Sequence, residues 1–251
     1  MTSQYTDHLA PEGLLTRGTV LVVPGRGETH AVYERFGRRL AADAYRVRVV
    51  DTLDLSGDDL DASLDALVER LAEAADGTAA APLVLVGADS GAAAVAALVA
   101  DPARAHRLGA DGVVLAGLPG RAAAATEAWD EELDVRTSCP THRGVLTDDT
   151  RVRRGELNTP VPERVLELAH DSAANLPQLL LVGDADPLAD REALALTAQK
   201  LASARLAVVH GAHHDVLNDK QHRSVAAEVV TFLEALREGL TPAVTVVSSA
   251  W

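Results

Sequence analysis

The chain has 251 residues, enough for one large core and too few for two comfortable domains with a linker. Lys+Arg 23 against Asp+Glu 37 gives a net charge of −14, which repels phosphate backbones and anionic lipid and argues against nucleic-acid and membrane-surface roles. The single Cys excludes an internal disulfide and a Cys-rich metal site, and aromatics at 3% oblige the core to use small aliphatic side chains.

The opening MTSQYTDHLAPEG has no basic region followed by an apolar run. No secretion signal is expected from it, and the expected compartment is the cytoplasm. No stretch of about 18 uncharged apolar residues occurs, so no membrane span is expected. An apolar run at 19–23 then reads as a strand, followed by a helical pattern near 30–43. The same alternation recurs as a run at 47–50 and a helix near 59–75, then a run at 83–86 and a helix near 91–100. Leu60, Leu64, Leu67, Val68 and Leu71 mark one apolar face of the second helix. A run at 112–116 follows, and the rhythm then breaks. From about 118 to 177 no strand pattern appears, although 121–134 and 162–174 read as helix. Runs at 179–182 and 206–209, with helices near 189–203 and 219–238, restore it, and the tail 240–251 is weakly patterned. Runs apolar at every position suit strands covered on both faces, and the alternation builds βαβ units. The expected fold is a doubly wound, mostly parallel sheet of about six strands, with a core formed by 1–117 and 178–251 and a short helical cap inserted at 118–177.

In open α/β sheets chemistry collects beyond the carboxyl ends of the strands. Four such loops are loaded. The first is Pro24-Gly25-Arg26-Gly27-Glu28-Thr29, whose glycines can present N–H groups to an oxyanion or phosphate; the full dinucleotide fingerprint and the P-loop Lys-Ser/Thr are missing. The second is Gly87-Ala88-Asp89-Ser90-Gly91-Ala92 between a strand and an Ala-rich helix, a nucleophile-elbow pattern. Glycine flanks make Asp89 its centre and alanine flanks make it Ser90; Gly87 ends the apolar run and favours Asp89. The third is Gly183-Asp184-Ala185-Asp186-Pro187, where Asp186 can orient a histidine or simply cap the next helix. The fourth is His210-Gly211-Ala212-His213-His214-Asp215, whose histidines lack the spacing of a known zinc motif and suit a general base held by a carboxylate.

The order nucleophile, acid, cap in between, then histidine resembles the α/β-hydrolases over residues 18–238, with the first two strands of the full fold absent or reduced. PGRGE is similar to the HGxGE loop of lysophospholipase and monoacylglycerol-lipase relatives, which implies an oxyanion hole from the N–H groups of Arg26 and Ser90, with Gly25 shaping the turn. HHDVLND resembles the HE/HD-x-x-N-E ending of that group and implies His214 as the catalytic histidine. GDADP resembles their G-x-x-D segment and implies Asp186 as the acid. The elbow departs from G-x-S-x-G, because G-A-D-S-G carries Asp as in epoxide hydrolases and dehalogenases. There a carboxylate attacks an sp³ carbon and water hydrolyses the alkyl ester. Yet no tyrosine falls in the cap, and Ser90 stands where dehalogenases commonly carry Trp or Arg. Trp129, Cys139 and His142 are the cap's own candidates for lining a substrate pocket.

The expected function is hydrolysis of a small organic molecule by Asp89, His214 and Asp186, with Asp89 as nucleophile or water-positioning base. The alternative is a lyase, dehydratase or cyclase of secondary metabolism using Asp89 and His214 as an acid–base pair, and a third reading is a binding protein that kept the scaffold. No cofactor or metal is expected. The charged surface is compatible with a monomer or a homodimer.

Overall fold

A computed structural model describes residues 5–51, 55, 59–77 and 79–250. Seven strands form one sheet: β1 (Tyr5–His8), β2 (Gly18–Val23), β3 (Tyr45–Val50), β4 (Leu83–Ala88), β5 (Gly112–Ala116), β6 (Gln178–Gly183) and β7 (Ala204–Val209). Their order is β1-β3-β2-β4-β5-β6-β7, parallel except for β1, which pairs antiparallel with β3. β1 is the strand beyond the expected six. It reads YTDH, is only partly buried and touches one neighbour, so it carries no continuous apolar run.

The chain moves outward from β2 to β3 and then crosses to β4 on the other side. β2 and β4 therefore flank the topological switch point, and the loops after them converge at one crevice. Alternate side chains of each strand serve two cores. Leu21, Leu85, Val113 and Leu180 pack with α2 (Leu60–Ala75), α3 (Ser90–Val99) and α4 (Pro102–Leu108). Val20, Val22, Val84 and Val114 pack with α1 (Glu34–Ala42) and, near the C-terminus, the helix His222–Arg237.

α4 lies between the expected elements. Asp101 caps it by accepting the Ala103 N–H at 2.8 Å, Pro102 opens it, and Gly109 ends it at φ 64°. These are ordinary start and stop signals.

The segment 118–177 holds α5 (Trp129–Arg136), α6 (Pro140–Asp148) and α7 (Glu163–His170) and divides by packing. Val165, Leu166 and Ala169 of α7 join the core on the α3 side, whereas Leu133 of α5 and Leu146 of α6 join the opposite cluster. α5 begins eight residues after the expected 121. The Ala-rich stretch before it is tied elsewhere: Ala124 N–H donates to the Leu157 carbonyl at 2.9 Å, and Asn158 brackets Thr126 through its N–H and its carbonyl. That pinning overrides alanine's helix propensity. The chain is completed by α8 (Arg191–Lys200) and α9 (His222–Arg237), and 240–250 is exposed without regular structure. Trp251 lies outside the described residues. Among the described residues no helix is long and apolar enough to cross a membrane.

Candidate active site

The turn from β4 into α3 is held by close backbone approach. A Cβ on Gly87 would lie 2.4 Å from the Gly91 carbonyl oxygen, and one on Gly91 would lie 2.3 Å from that of Val23. Both flanks must therefore be glycine, and the residue between them takes the strain. Asp89 has φ 48° and ψ −119°, whereas Ser90 is already the first residue of α3. The register question left by the sequence thus has a geometric answer, with Asp89 at the elbow.

Three charged groups from three loops meet in a line. His214 Nε2 lies 2.9 Å from Asp89 Oδ1, and His214 Nδ1 lies 2.9 Å from Asp186 Oδ2. All three are buried. Asp186 also accepts the Leu188 N–H at 2.8 Å on its other oxygen, so it caps the turn and holds the histidine at once. Gly117, at φ 58°, leaves room for the His214 backbone: a Cβ there would lie 2.5 Å from the His214 carbonyl oxygen.

Arg26 closes the other side of Asp89. Its backbone N–H donates to Asp89 Oδ2 at 2.8 Å, Nε donates to the same oxygen at 2.9 Å, and Nη2 donates to Oδ1 at 2.7 Å. Its Nη1 reaches the Thr159 carbonyl at 2.5 Å, which ties the loop to the inserted segment. Gly25 packs against Asp89, since a Cβ there would lie 2.8 Å from Asp89 Cβ. The remaining space beside Asp89 and His214 is a small cavity of about 10 Å³.

The charge states follow. Burial pushes the Asp89 carboxyl up, but the Arg26 charge and the hydrogen bonds from His214 and Arg26 outweigh it and hold it well below the usual carboxylate range. Burial pushes His214 down, but Asp186 and Asp89 outweigh it and raise the imidazole to about 10. The resting centre is an imidazolium between two carboxylates, with Arg26 on the outer one.

Behind the Arg26 loop lies a second buried network absent from the sequence reading. Glu28 accepts the Gly25 N–H at 2.8 Å and the Tyr33 hydroxyl. Burial, with the like charge of Asp215, raises Glu28 to about 7 against the pull of Arg136. Asp215 pairs with His142 Nε2 at 2.9 Å, and Arg136 donates to the Arg26 carbonyl and to Glu132 at 2.8 and 2.9 Å. Glu28, Tyr33 and Asp215 line the same small cavity as Asp89 and His214. Glu28 could be found from its place in PGRGE. Tyr33, Arg136 and Asp215 carry no sequence signal that ties them to it.

Donor atoms of Glu28, His142 and Asp215 fall within 4.8 Å of one another, a spacing that suits a metal ion. Arg136 already supplies the cation there, its Nη1 lying 3.7 Å from Asp215 and 4.0 Å from Glu28. The neighbouring histidines are spread: His210 pairs with Asp184 at 2.9 Å, and His213 with Asp219 at 3.0 Å. The cap candidates also separate. His142 is buried in the network, and Cys139 is buried with Arg35 Nη1 3.5 Å from its Sγ. Trp129 stands away from the cavity, with its Nε1 donating to Thr147 at 3.1 Å and the Arg154 guanidinium over its ring at 4.9 Å.

The structure is similar to solved α/β enzymes. It matches a monoacylglycerol lipase from Paleococcus ferrophilus at TM-score 0.70 and 19% identity, covering 92% of this chain and 98% of that one. It matches a soluble variant of monoglyceride lipase from Saccharomyces cerevisiae at TM-score 0.73 and 15% identity, covering 92% and 90%. A thermostable carboxyl esterase from Bacillus coagulans gives TM-score 0.72 and 13% identity, covering 92% and 93%. No curated protein matches the sequence significantly. These likenesses carry the fold, and the model of the alpha/beta hydrolase family matches residues 20–228. With that match over most of its length, the chain belongs to the alpha/beta hydrolase family.

Proposed function

We propose that the protein hydrolyses a small organic substrate through attack of Asp89 on carbon, with His214 moving the proton and Asp186 orienting His214. The observation that carries the reading is the division of labour between the two Asp89 oxygens. Oδ1 faces the His214 Nε2 proton at 2.9 Å, and Oδ2 takes the Arg26 backbone N–H at 2.8 Å.

Attack by Oδ1 on an sp³ carbon forms an alkyl ester and breaks the bond to the leaving group, which departs with the electron pair. The His214 imidazolium gives its Nε2 proton to an epoxide oxygen as that oxygen leaves; a halide leaves as the anion, and the His214 proton then passes to solvent. His214 thereby supplies the acid that a cap tyrosine would supply to an epoxide oxygen. The ester no longer carries the Asp89 charge, which together with Asp186 kept His214 protonated. The neutral imidazole is then a base for water. Water adds to Asp89 Cγ, and negative charge develops on Oδ2, where the Arg26 N–H already sits. Collapse expels the alkoxide, which takes the remaining proton of the added water to leave as the alcohol and returns Asp89 to a carboxylate; the proton first taken from water has restored the imidazolium. Asp attack on an ordinary ester would instead give a reactive mixed anhydride, so small epoxides and alkyl halides suit the centre better than esters.

Single turnover in ¹⁸O water on a panel of small epoxides and alkyl halides tests the reading. One ¹⁸O atom in Asp89 is the expected result, and an active enzyme with unlabelled Asp89 refutes it.

One observation favours a second reading. Both oxygens of Asp89 are fully hydrogen-bonded, and His214 holds its proton to about pH 10. The same pair could move a proton in an elimination or cyclisation with no covalent step. That reading predicts turnover with neither ¹⁸O in Asp89 nor water in the product.

A further inference from the structure

Beside the Asp89 centre, α1 and α6 enclose a groove of about 920 Å³. That volume suits a small organic molecule. Its α1 wall carries Arg35, Arg38 and Arg39, and its α6 wall carries His142 and Val145. The lining sets these three arginines against three carboxylates, Glu34, Asp148 and Asp149, so what matters is which charges are already paired.

The arginines are not equally engaged. Arg38 pairs with Glu34 at 2.5 Å. Arg35 donates to the Asn218 carbonyl and to Cys139 Sγ, clasping the loop before α9 to the turn before α6. Arg39 has no hydrogen bond or ion pair among the described residues, and its Nε is buried with no partner. His222 lies near these arginines: burial first, then the charges of Arg35, Arg39 and Arg223, hold it below its usual range. Of the facing carboxylates, Glu34 is paired with Arg38, Asp149 is held by Thr29 and Arg151, and Asp148 is exposed.

A second unmet group lies at the inner wall. Asn218 Oδ1 is buried without a hydrogen-bond partner. Asn218 lines both the groove and the small cavity beside Asp89 and His214, so it borders both spaces. An unmet donor at Arg39 and an unmet acceptor at Asn218 each carry a desolvation cost that a ligand of matching polarity would remove.

We propose that this groove holds the anionic end of the substrate, with a carboxylate or phosphate monoester on Arg39 and a hydrogen-bond donor on Asn218 Oδ1, and with the reacting carbon beyond Asn218 at Asp89. The placement of the reacting carbon rests on the hydrolase reading above; the binding of the anion does not.

The test separates the two. Hexanoate, hexyl phosphate and neutral hexanol are titrated into the full chain and into an Asp89→Asn variant that cannot react, with calorimetry as the readout. Both anions, or one of them, should bind at least tenfold more tightly than hexanol, and Asp89→Asn should retain that binding. Arg39→Gln should weaken it about tenfold or more, and Arg39→Lys should restore part of it. Val145→Trp, an exposed substitution on the opposite wall, should also weaken it by filling the groove. Equal binding of hexanol and the anions, or unchanged binding in Arg39→Gln, overturns the proposal. Anion binding without any turnover of anionic substrates would leave the groove standing and count against the hydrolase reading alone.

Discussion

His214 is expected to be an imidazolium at neutral pH, and the consequence for stability can be worked out. Its folded value is about 10 against 6.5 for the free side chain. A group raised on folding contributes stability that is fully present below the unfolded value and is lost as pH rises through the folded one. The window is therefore pH 6.5 to about 10. The interval of three and a half units corresponds to about 5 kcal/mol at about 1.4 kcal/mol per unit. That is comparable with the whole stability of many domains. Urea unfolding at pH 6, 7, 8 and 9, on wild type and His214→Gln, reads the effect of the ion triple, because titrating groups remote from His214 cancel in the difference. The advantage of wild type should shrink by about 1.4 kcal/mol per pH unit above 7. Imidazole ¹⁵N shifts should show both ring nitrogens protonated at pH 8. A ring that titrates near 6.5, or an advantage independent of pH, would refute the ion triple and the mechanism drawn from it.

Three further outcomes follow from named contacts. Arg26→Gln removes the charge that depresses the Asp89 carboxyl, so the stability lost on acidification, as pH falls through the folded value, should begin about 1–3 pH units higher; an unchanged acid-unfolding midpoint would count against the clamp. Gly91→Ala places a Cβ 2.3 and 2.5 Å from two backbone carbonyl oxygens that cannot swing away, and should cost about 3 kcal/mol by urea unfolding; a neutral result would show that the elbow relaxes. Arg136→Met leaves Glu132, Glu28 and Asp215 buried without their cation and should cost about 3–5 kcal/mol, with partial recovery in the Glu28→Gln background; no recovery would point to packing rather than charge.

The parallel strands were legible because both of their faces are covered, which leaves runs such as GTVLVV with no charged position. The elbow was legible because only glycine tolerates those carbonyl contacts, and the pairing of His214 with Asp186 follows from two loops that leave adjacent parallel strands. What stayed hidden depends on distant partners. β1 is a short edge strand without a hydrophobic signature, and the start of α5 is set by hydrogen bonds to Leu157 and Asn158. Trp129 looked like a pocket aromatic from its position in the insertion, yet its ring is covered by Arg154. The Glu28–Arg136–Asp215 network joins residues up to 187 positions apart, and no local pattern announces it.

The aspartate at the elbow and the arginine in the loop after β2 are one device. A serine there would be neutral at rest, and its histidine would need only one carboxylate. An aspartate adds a buried negative charge beside His214, which must be either neutralised or paired. Both happen here: the charge draws a proton onto His214, and it draws the guanidinium of Arg26 across its other edge. Arg26 is in turn held by the carbonyl of Thr159, in the segment inserted between β5 and β6. The charge on Asp89 therefore bears on that segment. In the proposed reaction, esterifying Asp89 would remove the charge that holds the Arg26 guanidinium. In the proposed mechanism Arg26 therefore has two parts, a backbone N–H aimed at Asp89 Oδ2 and a side chain that neutralises the same carboxylate.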